Sequence, residues 1–240
     1  MKATTRRTTS VRTGRKPAVL KRAAPYHHGS LHAAMLQAAE RILERDGIQG
    51  LTLRAAAREA GVSHAAPKNH FGDLRGLLSE LAAVGFERFG TAMLSKLRDG
   101  DPSTARMDAI GHGYVAFARA HPGLFLLMFR SERLDFSRPA LRAASDAAFS
   151  VLADTVAERR QESIAATLTL PQAAHIAAAW SLVHGFSMLL LDGRLKRLIA
   201  RLPPGGDETT LLTAMFKAGG RRGARRPPDS KTQRRTGKDR

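Results

Sequence analysis

Thr52-Leu53-Arg54-Ala55-Ala56-Ala57-Arg58-Glu59-Ala60-Gly61-Val62-Ser63, continuing through His64 to Phe71, is the stretch that decides the fold. It reads as two short helices, one from Thr52 to Ala60 and one capped by Ser63 and reaching about His70, with Gly61 between them. Glycine suits such a turn because it accepts left-handed backbone at little cost. Leu53, Ala57, Val62 and Phe71 supply an apolar inner face, which leaves Arg54, Arg58, His64, Lys68 and His70 outward. The small Ala65 and Ala66 let the second helix approach another surface closely. The pattern fits a helix-turn-helix, whose second helix can enter a DNA major groove.

Working outward, the apolar period stays helical nearly everywhere, and no stretch alternates with period two. The fold class is therefore all-α. Leu31, Met35, Ala38, Ile42 and Leu43 form one stripe upstream, opened by Gly29-Ser30 as a cap and closed at Asp46-Gly47. Downstream of Phe71-Gly72-Asp73, a longer helix carries Leu74, Leu77, Leu78, Leu81 and Val84 towards Leu97. Asp99-Gly100-Asp101-Pro102 is the clearest internal boundary, a glycine stop followed by a proline start. Beyond it, further helices are expected through Met107 to Phe117, Leu124 to Phe129, and Pro139 to Arg160. Thr169 with Gln172 three residues on resembles a capping box, opening a helix over 172–192. A Pro- and Gly-rich loop at 201–207 leads to a last short helix over 208–218. No uninterrupted apolar run is long enough to span a bilayer.

The formal charge of +18 is unevenly placed. Residues 1–22 carry +8 and residues 217–240 another +8, which leaves +2 for residues 23–216. Both tails lack apolar periodicity and are expected to be disordered, 1–25 at one end and 219–240 at the other. Basic tails bind polyanions by releasing condensed counterions, with no defined fold required; solubilisation alone is the other reading. The chain has no cysteine, which excludes disulfides, thiolate metal sites and a cysteine nucleophile. It also has no His-Glu-x-x-His, no glycine-rich phosphate loop and no Gly-x-Ser-x-Gly elbow. No catalytic site, metal site or cofactor is expected, and the setting is expected to be cytoplasmic.

The order of residues from Thr52 to Ser63, with His70-Phe71 and Leu77-Leu78, resembles the TetR family of transcriptional regulators. Tyr26-His27-His28-Gly29-Ser30-Leu31 looks like the entry to the first helix in one branch of it. Trp180-Ser181-Leu182-Val183-His184-Gly185 resembles the Trp-x-x-x-His-Gly signature of that branch's C-terminal domain. The resemblance implies a DNA-binding domain over 26–90 and an effector-binding, dimerising domain over 100–218. By position, Thr52, Arg54 and Ser63 are implied as phosphate contacts or caps. His64, Ala65 and Ala66 are implied at base edges, and Lys68, Asn69 and His70 at the backbone and an adjacent base. Lys68 stands where the family usually has tyrosine. Leu74, followed by Arg75, stands where it usually has lysine, so base preference is not inherited.

The implied partners are a palindromic double-stranded operator, a second copy of the chain and an unidentified small-molecule effector. Helices 172–192 and 208–218 are the implied dimer elements, with Ala177, Ala178, Gly185 and Ser187 permitting close approach. Candidate pocket residues are His112, Tyr114, His121, Phe125, Met128, Trp180, His184 and Met188, residue types that are more often simple core than ligand contacts. The implied activity is repression relieved by the effector. An architectural DNA-binding protein that works through its tails, with little sequence preference, is the alternative.

Overall fold

The computed structural model describes residues 28–221, and among them every element is helical. Both basic tails, apart from Lys217 and the last turn to Arg221, lie outside the described residues. So does the Tyr26-His27 entry.

α1 (His28–Gly50) is helical two residues before the expected Ser30 cap. Gly47 at φ +69 interrupts it where Asp46-Gly47 was expected to end it. α2 (Leu53–Glu59) is capped by Thr52, whose hydroxyl accepts from the Ala55 N–H at 3.0 Å. Gly61 turns the chain at φ +68. Ser63 closes this turn by accepting from the Ala65 N–H at 3.3 Å, but regular α3 (Ala66–Phe71) starts only at Ala66. Gly72 and Asp73 end α3 and cap α4 (Leu74–Leu94), with Asp73 accepting from the Gly76 N–H at 2.8 Å.

The second half holds α5 (Ser103–Ala120), α6 (Pro122–Met128), α7 (Pro139–Arg160), α8 (Leu170–Leu191), α9 (Lys196–Ile199) and α10 (Glu208–Arg221). The capping box at Thr169 and Gln172 is formed in full. The one-turn α9 and a 3₁₀ turn at Ser131–Arg133 were not foreseen, because three or four residues are too few for a periodic signal.

One hydrophobic core runs through both halves. It joins Leu31, Met35 and Leu43 of α1 to Leu77 and Leu81 of α4, and these to Tyr114, Phe125, Leu141 and Phe186. α4 is the axis, packed against α1 on one side and α5, α6 and α7 on the others. Glu44 ties the halves at their ends by accepting from the N–H groups of Gly123 at 2.9 Å and Leu124 at 3.0 Å.

α8 is the exception to the buried pattern. It is 22 residues long with a mean hydropathy of 1.5, long and apolar enough to cross a membrane, and only 22% of that window is buried. The expectation that no uninterrupted apolar run reaches that length is not contradicted, since Gln172, His175, Ser181, His184 and Ser187 interrupt α8. Val183, Phe186 and Ser187 face the core, while Ala177, Ala178, Ser181 and Leu189 face out. Ser187 was expected on the outward side. It is buried, and its hydroxyl donates to the Val183 carbonyl at 2.9 Å.

Candidate DNA interface and ligand cavities

The α2–α3 unit buries one face and offers the other. Ala57 and Phe71 are fully enclosed, and Leu53 and Val62 pack against them. Pro67, in the first turn of α3, is also buried. Thr52, Arg54, Ser63, His64, Ala65, Lys68 and Asn69 are all exposed, on one continuous run of chain. Ala66 opens α3.

His70 departs from the outward reading. It is half-buried, with its ring 6.4 Å from that of His32 and 6.3 Å from Phe71. Its position at the end of a six-residue helix turns it towards α1. Arg41 and Arg45 of α1 pair with Glu59 at 3.2 and 3.7 Å, fixing the end of α2.

The residues that hold this unit in place carry no local sequence signal. Arg138, at the start of α7, donates to the Phe71 carbonyl at 3.0 Å and to Glu80 at 3.0 Å. Glu80 bonds His32, and the His32 ring stacks on Phe71 with centroids 4.9 Å apart. Arg75 donates both ways to the Leu134 carbonyl, at 2.6 and 3.1 Å. The Asp135 N–H donates to Ser79 at 2.8 Å. The connector between α6 and α7 therefore grips the last residue of α3 and the first turns of α4. Gly76 makes room for it, since a Cβ there would strike the Phe71 carbonyl and lie 2.5 Å from the Arg138 guanidinium.

Among the described residues of the C-terminal half, two apolar cavities share Tyr114 and Leu152 as a wall. The first, of about 400 Å³, lies between α4, α5, α7 and the connector, with Ser131, Phe136, Met128 and Trp180 on its surface. The second, of about 340 Å³, lies between α5, α7, α8 and α10.

Of the eight pocket candidates, Tyr114, Met128 and Trp180 border a cavity. His112, His121, Phe125, His184 and Met188 border neither. His112 instead bonds Thr213 at 3.0 Å and packs on Phe216, pinning α10 to α5. His121 caps the α5–α6 junction against Phe117, with ring centroids 5.1 Å apart. Phe125 is fully buried and Met188 packs against the core.

His184 lies one layer behind the wall. Trp180 Nε1–H donates to Tyr114 Oη at 3.3 Å, and Tyr114 Oη lies 2.9 Å from His184 Nδ1. Tyrosine has one proton to give, so the chain of donation runs from Trp180 to Tyr114 to a neutral His184. Burial raises the Tyr114 pKa well above its usual 10, with a smaller opposing effect from Trp180. Burial also lowers the His184 pKa below 6.5. Folding thus favours the neutral imidazole, and its contribution is present above pH 6.5 and is lost as the pH falls below that. A thermal melt series from about pH 7 to about pH 5 should show falling stability, with a shallower slope in His184→Gln. Identical slopes in the two proteins would remove His184 from the account.

The comparisons with known proteins agree with this architecture. A family model described as the tetracyclin repressor-like C-terminal domain matches residues 107–229. A solved structure of a protein with unknown function from Rhodococcus sp. RHA1 is 33% identical, with a TM-score of 0.66 over 83% of this chain and 98% of that one. The uncharacterized HTH-type transcriptional regulator YobS of Bacillus subtilis (strain 168) is 23% identical over 172 residues, 70% of this chain and 83% of YobS. The TetR-like regulator LfrR of Mycobacterium smegmatis, solved in complex with proflavine, shares the fold at a TM-score of 0.53 and 16% identity, over 79% of this chain and 96% of that one. With its helix-turn-helix packed on a helical C-terminal half, the chain belongs to the TetR family of transcriptional regulators.

Proposed function

We propose that this protein is a homodimeric, cytoplasmic repressor that reads a two-fold symmetric DNA operator through residues 63–70 and releases it when a small molecule fills the cavity under the connector. The observation that carries the reading is the division of the α2–α3 unit. Pro67 and Phe71 are locked inward, while His64, Ala65, Lys68 and Asn69 stand clear of the chain's own walls. Among the described residues, nothing covers that face. Release follows from the connector. Ser131 and Phe136 form the cavity surface, while Asp135 and Arg138, next to them in the chain, hold α4 and the Phe71 carbonyl. A ligand that displaces Phe136 pulls on both.

The outward apolar face of α8 supports pairing with a second copy, because a water-exposed stripe of this kind gains by burial. Ala177→Glu places a charge on that face and is expected to convert the dimer to a monomer by light scattering. Operator affinity should fall about tenfold or more as the second half-site contact is lost. A dimer that survives this change intact would put the interface elsewhere.

Selection of sites from a random duplex pool tests the whole reading. The expected consensus is dyad-symmetric, with half-sites about 34 Å apart or a multiple of it. The two tails, each carrying +8, favour a second reading in which the chain binds any duplex. Removing residues 1–22 and 219–240 separates the two. The repressor keeps its site preference with a flatter salt dependence, whereas the architectural protein loses binding with its tails. Lys68→Ala should weaken binding to all sequences alike and lower the salt slope by about one. A changed base preference instead would mean that Lys68 touches a base.

A further inference from the structure

The second cavity, between α5, α7, α8 and α10, has a chemical character unlike the first. Its walls are apolar, with Met107, Ile110, Val156, Leu182 and Phe216 among them. At its edge sit three groups that prefer a polar partner: Arg159, Arg160 and His175. Arg160 has one already, Glu162 at 2.9 Å. Glu158, the other acid nearby on α7, is engaged by Arg106 at 3.0 Å. Arg159 is half-buried and, among the described residues, makes no ion pair or side-chain hydrogen bond. His175 Nδ1 is shut off from solvent with no hydrogen-bond partner. A half-buried guanidinium with no ion pair among the described residues, on the lining of an apolar hollow, is a receptor for an oxyanion with a hydrocarbon body. Planar carboxylates match the guanidinium fork. The volume, about 340 Å³, lies in the range of sites that take small ligands.

We infer that this cavity binds an amphiphilic carboxylate, a fatty or arylalkanoic acid, with its head at Arg159 and its apolar body against Leu182 and Phe216. The site is separate from the cavity proposed for operator release, so either assignment can stand without the other. Tyr114 and Leu152 divide them, and an occupant of one rests on the same side chains as an occupant of the other.

Isothermal titration of the full-length protein tests this without DNA, using octanoate, dodecanoate and phenylbutyrate below their micelle concentrations. Dodecanol and dodecylamine serve as head-group controls. At least one acid should bind at least tenfold more tightly than both controls. Arg159→Ala and Arg159→Gln should each weaken that acid about tenfold while leaving dodecanol binding unchanged, and unaltered melting curves show that the fold is kept. The inference is overturned if none of the acids binds, if acid and alcohol bind alike, or if both variants bind the acid as the parent does.

Discussion

Gly76→Ala is expected to cost about 2–3 kcal/mol of stability, lowering the melting temperature by roughly 5–10 °C for a chain of this size. The added methyl meets the carbonyl of Phe71, a backbone atom that cannot rotate away, and the guanidinium of Arg138. Helix propensity alone predicts the opposite sign, since alanine is favoured over glycine by about 1 kcal/mol in a helix interior. The clash decides the outcome. With Arg138 expelled, the end of α3 loses its anchor to α7 and Glu80 loses one of its two partners. Operator affinity should therefore fall about tenfold or more, the equivalent of about 1.4 kcal/mol. Arg138→Gln serves as the companion variant. It removes the anchor without the clash and should reproduce most of the affinity loss with a smaller change in melting. A Gly76→Ala protein that melts and binds like the parent would show that the connector does not position α3.

Gly113→Val should be more damaging still. At Gly113 the backbone of α5 lies directly on that of α4, and a Cβ would overlap the Ala92 carbonyl and sit 2.7 Å from Met93 Cα. Both obstacles are main chain. Either the two helices separate or the side chain is strained, and overpacking of this kind costs about 1–3 kcal/mol and occasionally more. The β-branched valine also fits a helix less well. We expect a loss of about 3 kcal/mol or failure to accumulate as folded protein. Gly90→Val on the neighbouring helix is the control, since a Cβ there has open space, and it should cost only its propensity. Equal melting temperatures for the two variants would refute the close approach of α4 and α5.

The sequence disclosed those parts of the architecture whose cause is local. Gly61, Asp73 and the Thr169–Gln172 pair each act within four residues of themselves, and each sits where its chemistry placed it. The stripe of α1 and the division of α2–α3 into inner and outer faces were legible for the same reason. What was hidden depends on distant partners. Arg138 meets Phe71 across 67 positions and Glu80 across 58, and Glu80 meets His32 across 48. No periodicity marks such contacts. Five of the eight pocket candidates, His112, His121, Phe125, His184 and Met188, missed both cavities for the same reason. His112 and Tyr114 are two apart on α5, so they point to different sides. Only the packing of α10 shows that His112 belongs to Thr213 and Phe216, while Tyr114 faces both cavities. His184 was found by type and position. Its service behind Tyr114, without contact with either hollow, rests on a partner 70 positions away.

The placement of Trp180 turns the molecule into its own sensor. It is the sole indole in 240 residues, 39% exposed, edging the hollow beside the connector while bonded to Tyr114. Excited at wavelengths that tyrosine does not absorb, its emission arises from one known spot. A compound that lodges there expels water from the ring face and shifts the spectrum to the blue. Added duplex, held at the far end of α4, leaves the colour unchanged unless the distant event is transmitted along that helix. Light from a single residue thus separates what is bound from what is felt.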